Sequence, residues 1–503
     1  MKKLLGLVFV FILVLFSSCD LLGELFSDEN NNLGNASSGK FWARNTSNNE
    51  DYRVSADLLV RGRYCNIWVE KGSATKSQAQ MVANEYDNKI YGMMIENFSV
   101  RNFTDGNKKY DNIMEYADWL GDGDGKLFIL LLDIKDNYRR GINNSYVAGY
   151  FLGIHFFNTS RSNGRDMIFV DTNPGMGETE EAFSTLAHEM QHLMNLATTF
   201  YLRSERNKRG ELLGLSPMDT WVDEGLASAA EYLYKGHLDN RIDWYVYNGY
   251  KEEPSKAEYR GLIDKGNNFF VWENHNNNQY AVMDDYATVY LFFQWLRLQA
   301  GRSSIYNEII ASKDSDYNAV TKVMNAAVSG QGFSNWDVLL KSWLAANYIN
   351  APTGIYGYKN DSKLKVVKVP APFSGNIDNL IRLDPGEGVY SRMSNGSNMP
   401  AASGQIRYSS LSKSPVAVDN TTADGRILLS YNVNTNNEDN SEFGATTGIA
   451  IPSASVVNIT FPERSAISKI SRPYKIDAAD IVGRDKFNVV KQIVNRKVSD
   501  VKE

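Results

Sequence analysis

Hydrophobic and polar positions change rhythm repeatedly along the chain, and each change marks a different kind of element. An unbroken apolar run, Leu4 to Phe16, sits between Lys2-Lys3 and the small residues Ser17 and Ser18. From Asp20 to about Asn49 the chain is rich in Asn, Ser, Asp and Gly and carries too little apolar surface to bury, so ordered structure is expected from about Tyr52. Arg53 to Val69 alternates well enough for one or two strands. Lys76 to Phe98 then places Met81, Val82, Tyr86, Ile90 and Met93 or Met94 at helical spacing. The continuous apolar run Leu127 to Leu132 predicts a strand buried on both faces. Met167 to Val170 predicts another, closed by Asp171-Thr172-Asn173-Pro174. Beyond it the period turns helical, with breaks, to about Ala346. From roughly Val366 to Phe461 short β-type runs such as Ile427 to Leu429 and Val456 to Ile459 alternate with polar clusters.

This succession predicts an α+β protein. A mixed sheet subdomain and a helical subdomain occupy residues 51–355, and an all-β domain occupies 356–503. The 503 residues suffice for two or three cores, and 43% hydrophobic with 22% charged residues is ordinary for a soluble globular chain. The formal net charge of −6 and the lack of a basic run interleaved with aromatics leave a nucleic-acid partner without support.

Residues 1–18 have the basic, apolar and small-residue regions of a secretory leader, and the apolar run is short for a membrane span. Phe16-Ser17-Ser18-Cys19 resembles a bacterial lipobox, with Phe16 in place of the usual Leu. The expectation is an envelope or surface protein held on a membrane by lipid on Cys19, with residues 19–50 as a flexible tether. An ordinary leader cut near the same place is the alternative. Cys65 then has no partner for a disulfide and reads as a small buried hydrophobe.

Gly121-Asp122-Gly123-Asp124-Gly125 reads as a hairpin-like turn. Its aspartates alone do not support calcium, because the acidic ligands of a full loop do not follow.

Chemistry concentrates in His188-Glu189-Met190-Gln191-His192, a His-Glu-x-x-His pattern. Positions four apart share a helix face, so both imidazoles can converge on one ion, with Glu189 beside it. Glu178, Glu180 and Glu181 favour the start of this helix, and Phe183, Leu186, Met190 and Leu193 give it an apolar stripe. A catalytic zinc needs a third protein ligand and an open position. Downstream, Asp219 can cap a second helix whose early turns carry Glu224, with Glu231 two turns further on the same face. Glu231 could orient a ligand or be a solvated acid. His155, His237 and His275 lack such a setting.

His188-Glu-Met-Gln-His192 with Trp221-Val-Asp-Glu224-Gly-Leu-Ala-Ser228 resembles a gluzincin metallopeptidase. A longer string resembles the hyicolysin family: Gly123-Asp-Gly-Lys126, Gly149-Tyr150-Phe151, Asp166 to Asp171 and Leu186 to His192. The resemblance covers roughly Asp118 to Leu296. It implies zinc held by His188, His192 and Glu224 in a cleft between the two subdomains, and Glu189 as general base in peptide hydrolysis. The Trp-x-x-Glu-Gly segment is also similar to aminopeptidase-N-like enzymes, where Asn usually stands in place of Asp223 and the ligands lie closer in sequence. That departure leaves exopeptidase specificity uncarried, and internal bonds of extracellular proteins or peptides are the expected substrate. A tetrahedral oxyanion needs a second donor. Tyr286 is the candidate, with Tyr290 on the same face as its substitute. The strand Met167 to Val170 could add an extended substrate to its edge. Two rival readings are an inactive lipid-anchored binding protein or adhesin on this scaffold, and a zinc hydrolase of non-peptide amides.

Overall fold

The computed structural model describes residues 37–140, 142, 146–156, 161–177, 179–206, 212–249, 251, 261, 263–266, 270, 281–369, 381–392, 399–402, 404–413, 416–418, 427–435, 448–449, 476–477 and 493–494. The leader, Cys19, Glu178, His275 and the expected strand Val456 to Ile459 lie outside the described residues.

Strands β1 (Ser38–Asn45), β2 (Glu50–Arg61) and β3 (Cys65–Glu70) run antiparallel in sequence. Helices α1 (Lys76–Glu85) and α2 (Tyr91–Phe98), a hairpin of β4 (Arg101–Asp105) and β5 (Lys108–Asn112), and α3 (Ile113–Leu120) follow. The chain then enters β6 (Leu127–Leu132), which pairs parallel with β3. After β7 (Tyr146–Val147) and β8 (Gly149–Phe151), β9 (Met167–Asp171) pairs parallel with β6 and antiparallel with β8. The sheet order is β1-β2-β3-β6-β9-β8. A mixed sheet with helices after it makes the fold α+β, as the pattern predicts.

Alternation along these strands divides the apolar side chains between two faces. Ile67, Val69, Ile129, Leu131, Ile168 and Val170 join the large core under the helices. Trp68, Phe128, Leu130, Leu132, Met167 and Phe169 form a smaller core on the other face, with Phe41 against Trp68 and Phe128 at ring separations of 5.0 and 4.9 Å. Every residue of β6 is buried, as its unbroken apolar run predicts.

Four local expectations differ from the structure. Residues 38–45, given to the tether on composition, form β1, because Phe41 and Ala43 alternate inward onto the second core. The helical run 76–98 is broken by a wide turn over residues 86–90, which shifts its phase, so Ala79, Val82, Ile90 and Met94 are buried while Met81 is exposed. The segment 121–125 is not a hairpin turn but the link from α3 to β6, whose neighbours are both parallel. Met167 to Val170 offers no free edge to a substrate, since β6 and β8 occupy both its sides; the outer strand is β8.

The helical layer comprises α4 (Thr179–Leu202), α5 (Thr220–Lys235), α6 (Asp239–Tyr247), α7 (Ala281–Ala300), α8 (Ile305–Ile310), α9 (Tyr317–Ala327) and α10 (Trp336–Ile349). Helix α4 is buried on all sides from Ala182 to Phe200, so it is a central rather than a surface helix. Among the described residues no helix is long and apolar enough to cross a membrane. A four-stranded antiparallel sheet (Gly388–Arg392, Ile427–Asn432, Ile406–Lys413, Val416–Val418) lies within the region expected to be β-rich. It packs on α10, where the Tyr431 hydroxyl donates to Asp337 at 2.7 Å and the Tyr390 hydroxyl to the Leu344 carbonyl at 2.7 Å.

Candidate metal centre

Helix α4 crosses the inner end of the sheet close to β8. At Gly149 a Cβ would stand 2.7 Å from Thr185 Cγ2, 2.8 Å from the Phe169 carbonyl and 3.6 Å from Glu189 Cγ. Glycine there lets the outer strand lie directly against the helix turn that carries Glu189. Helix α5 packs on α4 from the other side. Asp219 stands at its N-cap position but makes no side-chain cap bond. At Gly225 a Cβ would lie 2.2 Å from Phe293 Cε2, so the residue after Glu224 sets how closely α5 approaches α7.

This packing brings His188, His192 and Glu224 together, with one ligand atom from each mutually within 4.8 Å. His188 Nε2 lies 3.5 Å and His192 Nε2 3.8 Å from Glu224 Oε2. Zinc bonds of about 2.0–2.1 Å in a tetrahedron set ligand atoms roughly 3.4 Å apart, close to these separations. Both Nε2 atoms, Glu224 Oε2 and both Glu189 carboxyl oxygens are buried without a hydrogen bond to any described residue. Buried polar atoms without partners are costly, and five of them facing one another fit a cation bound by two imidazoles and a carboxylate.

The far side of each imidazole is held by an acid. His188 Nδ1 contacts Glu231 Oε1 at 2.8 Å, and both groups are buried. His192 Nδ1 approaches Asp223 Oδ2 at 2.9 Å, an ion-pair approach rather than an aligned hydrogen bond. Asp223 in turn accepts from Asn195 at 2.6 Å, and Asn195 accepts from the buried Arg203 at 2.9 Å. Each acid leaves the Nε2 lone pair facing the centre. Burial pulls His188 down, but its contacts with Glu224 and Glu231 outweigh this and hold it well above its usual value. His192 is likewise raised, burial being overcome first by the charge of Asp223. A site that holds protons so strongly holds another cation by the same charges, and binding a metal releases the protons. Burial pushes Glu189 up to about 7, against the opposing pull of His188 and His192.

Tyr286 is buried on α7, and its phenol is pushed well above the usual range by burial and then by the charge of Glu224. The Arg241 guanidinium stacks 4.6 Å over its ring. Tyr290 points elsewhere: its hydroxyl accepts the Leu238 amide at 3.1 Å and contacts His237 Nδ1 at 3.2 Å. His155 is buried and accepts the Asn163 amide at 3.1 Å, while His237 pairs with Asp361 at 3.1 Å. Neither joins the cluster. Sequence reasoning assigned no part to Asp223, Asn195 or Arg203. The available signal was helical spacing, since Asn195 lies three residues beyond His192 and Asp223 immediately before Glu224.

No protein-family profile matches the chain. It is similar to the neutral metalloprotease ShpI of Staphylococcus hyicus, with 30% identity over 345 residues that make up 66% of this chain and 67% of the relative.

Proposed function

The chain belongs to the metallopeptidase family of that staphylococcal relative, and from this premise we propose that it hydrolyses peptide bonds with zinc held by His188, His192 and Glu224. The observation that carries this reading is the convergence of two Nε2 atoms and a carboxylate oxygen, all buried and without hydrogen bonds to described residues. A zinc ion in that cradle supplies Lewis-acid polarisation of the attacking water and of the scissile carbonyl.

The protein's own groups do the rest. Glu189 takes the proton of the attacking water and returns it to the leaving amine. Its burial and its place one residue after His188 suit it to both transfers. Tyr286 donates to the developing oxyanion from the opposite wall, where its phenol feels Glu224 and Glu189. Glu231 and Asp223 fix the imidazole tautomers. Strand β8 has one strand partner among the described residues, so its other edge receives an extended substrate beside Glu189. Such pairing reads backbone, which favours internal bonds of proteins or peptides. These features make the body of the chain a gluzincin-type catalytic unit, residues 51–355, with a β-rich domain after it.

The sequence pattern at Cys19 supports attachment to a bacterial envelope or surface membrane through lipid. Fatty-acid labelling of wild type but not of Cys19→Ser tests that part separately. The test of the activity is casein hydrolysis by the purified chain, with metal content measured in parallel. Loss of activity on chelation and recovery with stoichiometric zinc are expected; full activity in chelated, metal-free protein would overturn the reading.

A further inference from the structure

We propose that Asp118, Asp122 and Asp124, with Asp166 beneath them, form a calcium site separate from the histidine–carboxylate cradle. The link from α3 to β6 is curled by Gly123 and Gly125, at φ +68° and +80°. Asp118, at the C-terminal end of α3, thereby meets Asp122 and Asp124, with one carboxylate oxygen from each mutually within 4.8 Å. Calcium binds oxygens at about 2.3–2.6 Å, so two of its ligands lie at most roughly 5 Å apart.

Asp166 supplies an independent reason for a cation. It is 1% exposed, and neither carboxyl oxygen hydrogen-bonds to any described residue. Its Oδ1 lies directly under the loop, 3.1 Å from where a Cβ of Gly121 would stand. It lines one cavity with Asp118 and Gly125 and faces the charges of Asp118 and Asp124. A buried carboxylate without donors, pressed against two others, needs a positive charge beside it. Arg165 answers only part of this, because its guanidinium pairs with Asp122. Lys126 turns its ammonium to the Gly62 carbonyl. The remaining loop bonds are Gly125 amide to Asp118, Lys126 amide to Asp124 and the Asn66 amide group to Asp124. They orient the carboxylates and leave lone pairs on them, since each carboxylate can accept about four bonds.

The donor set is all oxygen, which selects a hard ion over zinc. Partial exposure of the loop leaves room for waters to complete the six to eight ligands that calcium takes. The free carbonyls at the end of α3 add negative partial charge. A bound ion would tie α3 to the starts of β6 and β9, the two parallel strands that lead towards α4.

Terbium luminescence on the full chain tests this, because Tyr64, Tyr86 and Tyr91 line the adjoining cavity and can sensitise the ion. Saturable emission, displaced by calcium, is expected in wild type and in His192→Ala. Asp122→Asn and Asp124→Asn, both on the exposed loop, are expected to weaken terbium and calcium at least tenfold, and Asp166→Asn similarly if it folds. Emission unchanged in both loop variants would overturn the site. So would emission lost in His192→Ala alone, or no displacement by calcium up to about 10 mM, beyond the range of weak extracellular sites.

Discussion

Replacing Glu231 by Gln removes a charge from the centre while preserving shape. The wild-type contact to His188 Nδ1 is 2.8 Å, and both side chains are buried, so bulk water does not compete for either. Glu231 holds the Nδ1 proton and leaves the Nε2 lone pair facing Glu224, 3.5 Å away. A glutamine can turn its amide NH2 towards Nδ1, which favours the opposite tautomer and protonates the ligating nitrogen. Even with its carbonyl presented, the charge-assisted bond becomes a neutral one of roughly half the strength. The positive charges of Arg241 and Lys235, which act on Glu231, then lose their counterpart beside the metal. Loss of a partner behind a ligand typically weakens metal binding 10- to 100-fold. With full burial the upper part of that range is expected, about 2.7 kcal/mol in binding free energy. Competition between the folded protein and a chromogenic zinc chelator measures it directly. Zinc affinity within threefold of wild type, with unchanged activity, would refute the claim that Glu231 orients His188.

Glu189→Gln should bind zinc normally and lose at least about 100-fold in turnover, since the amide cannot carry the proton; near wild-type turnover would remove Glu189 from that role. Tyr286→Phe should lower kcat by about 100- to 1,000-fold with little change in KM. Tyr290→Phe should leave kcat nearly unchanged, because its hydroxyl is bonded to the Leu238 amide; the reverse order of effects would move the oxyanion donor. Gly225→Ala drives a methyl roughly 1 Å inside ordinary contact with Phe293, whose ring is packed against Trp221, Phe292 and Tyr306. Overpacking of about 1–3 kcal/mol exceeds the ~1 kcal/mol that alanine adds to a helix. Thermal melting should therefore fall, and an unchanged or higher midpoint would contradict the packing argument.

The residues that carry the chemistry were more legible in the sequence than the surfaces around them. His188 and His192 stand out because helical spacing alone places them on one face, and the helix around them has the burial its stripe predicts. Glu224 needed a second helix and a family resemblance to be singled out. The sheet edge was not legible, because strand order depends on pairing between distant segments. Strand β8 has only three residues, too few for alternation to show, yet it takes the place beside α4 that proximity in sequence gave to Met167–Val170. Strand β1 was hidden by the polar residues around Phe41 and Ala43. The wide turn at 86–90 leaves no signal in an apolar period, so Met81 was counted inward. Asp223 escaped notice because a carboxylate beside a ligand is indistinguishable, in one sequence, from a solvated acid.

The central claim, that two histidines and a glutamate from separate helices hold a single zinc, is tested most directly by zinc occupancy in Glu224→Ala. Two imidazoles alone are too few for a well-held catalytic zinc. Purified wild type is predicted to retain one zinc per chain through dialysis against a weak chelator. Glu224→Ala is predicted to lose it, with an affinity drop well beyond the roughly 10- to 100-fold expected for Glu231→Gln. Full zinc occupancy and activity in Glu224→Ala would contradict the account.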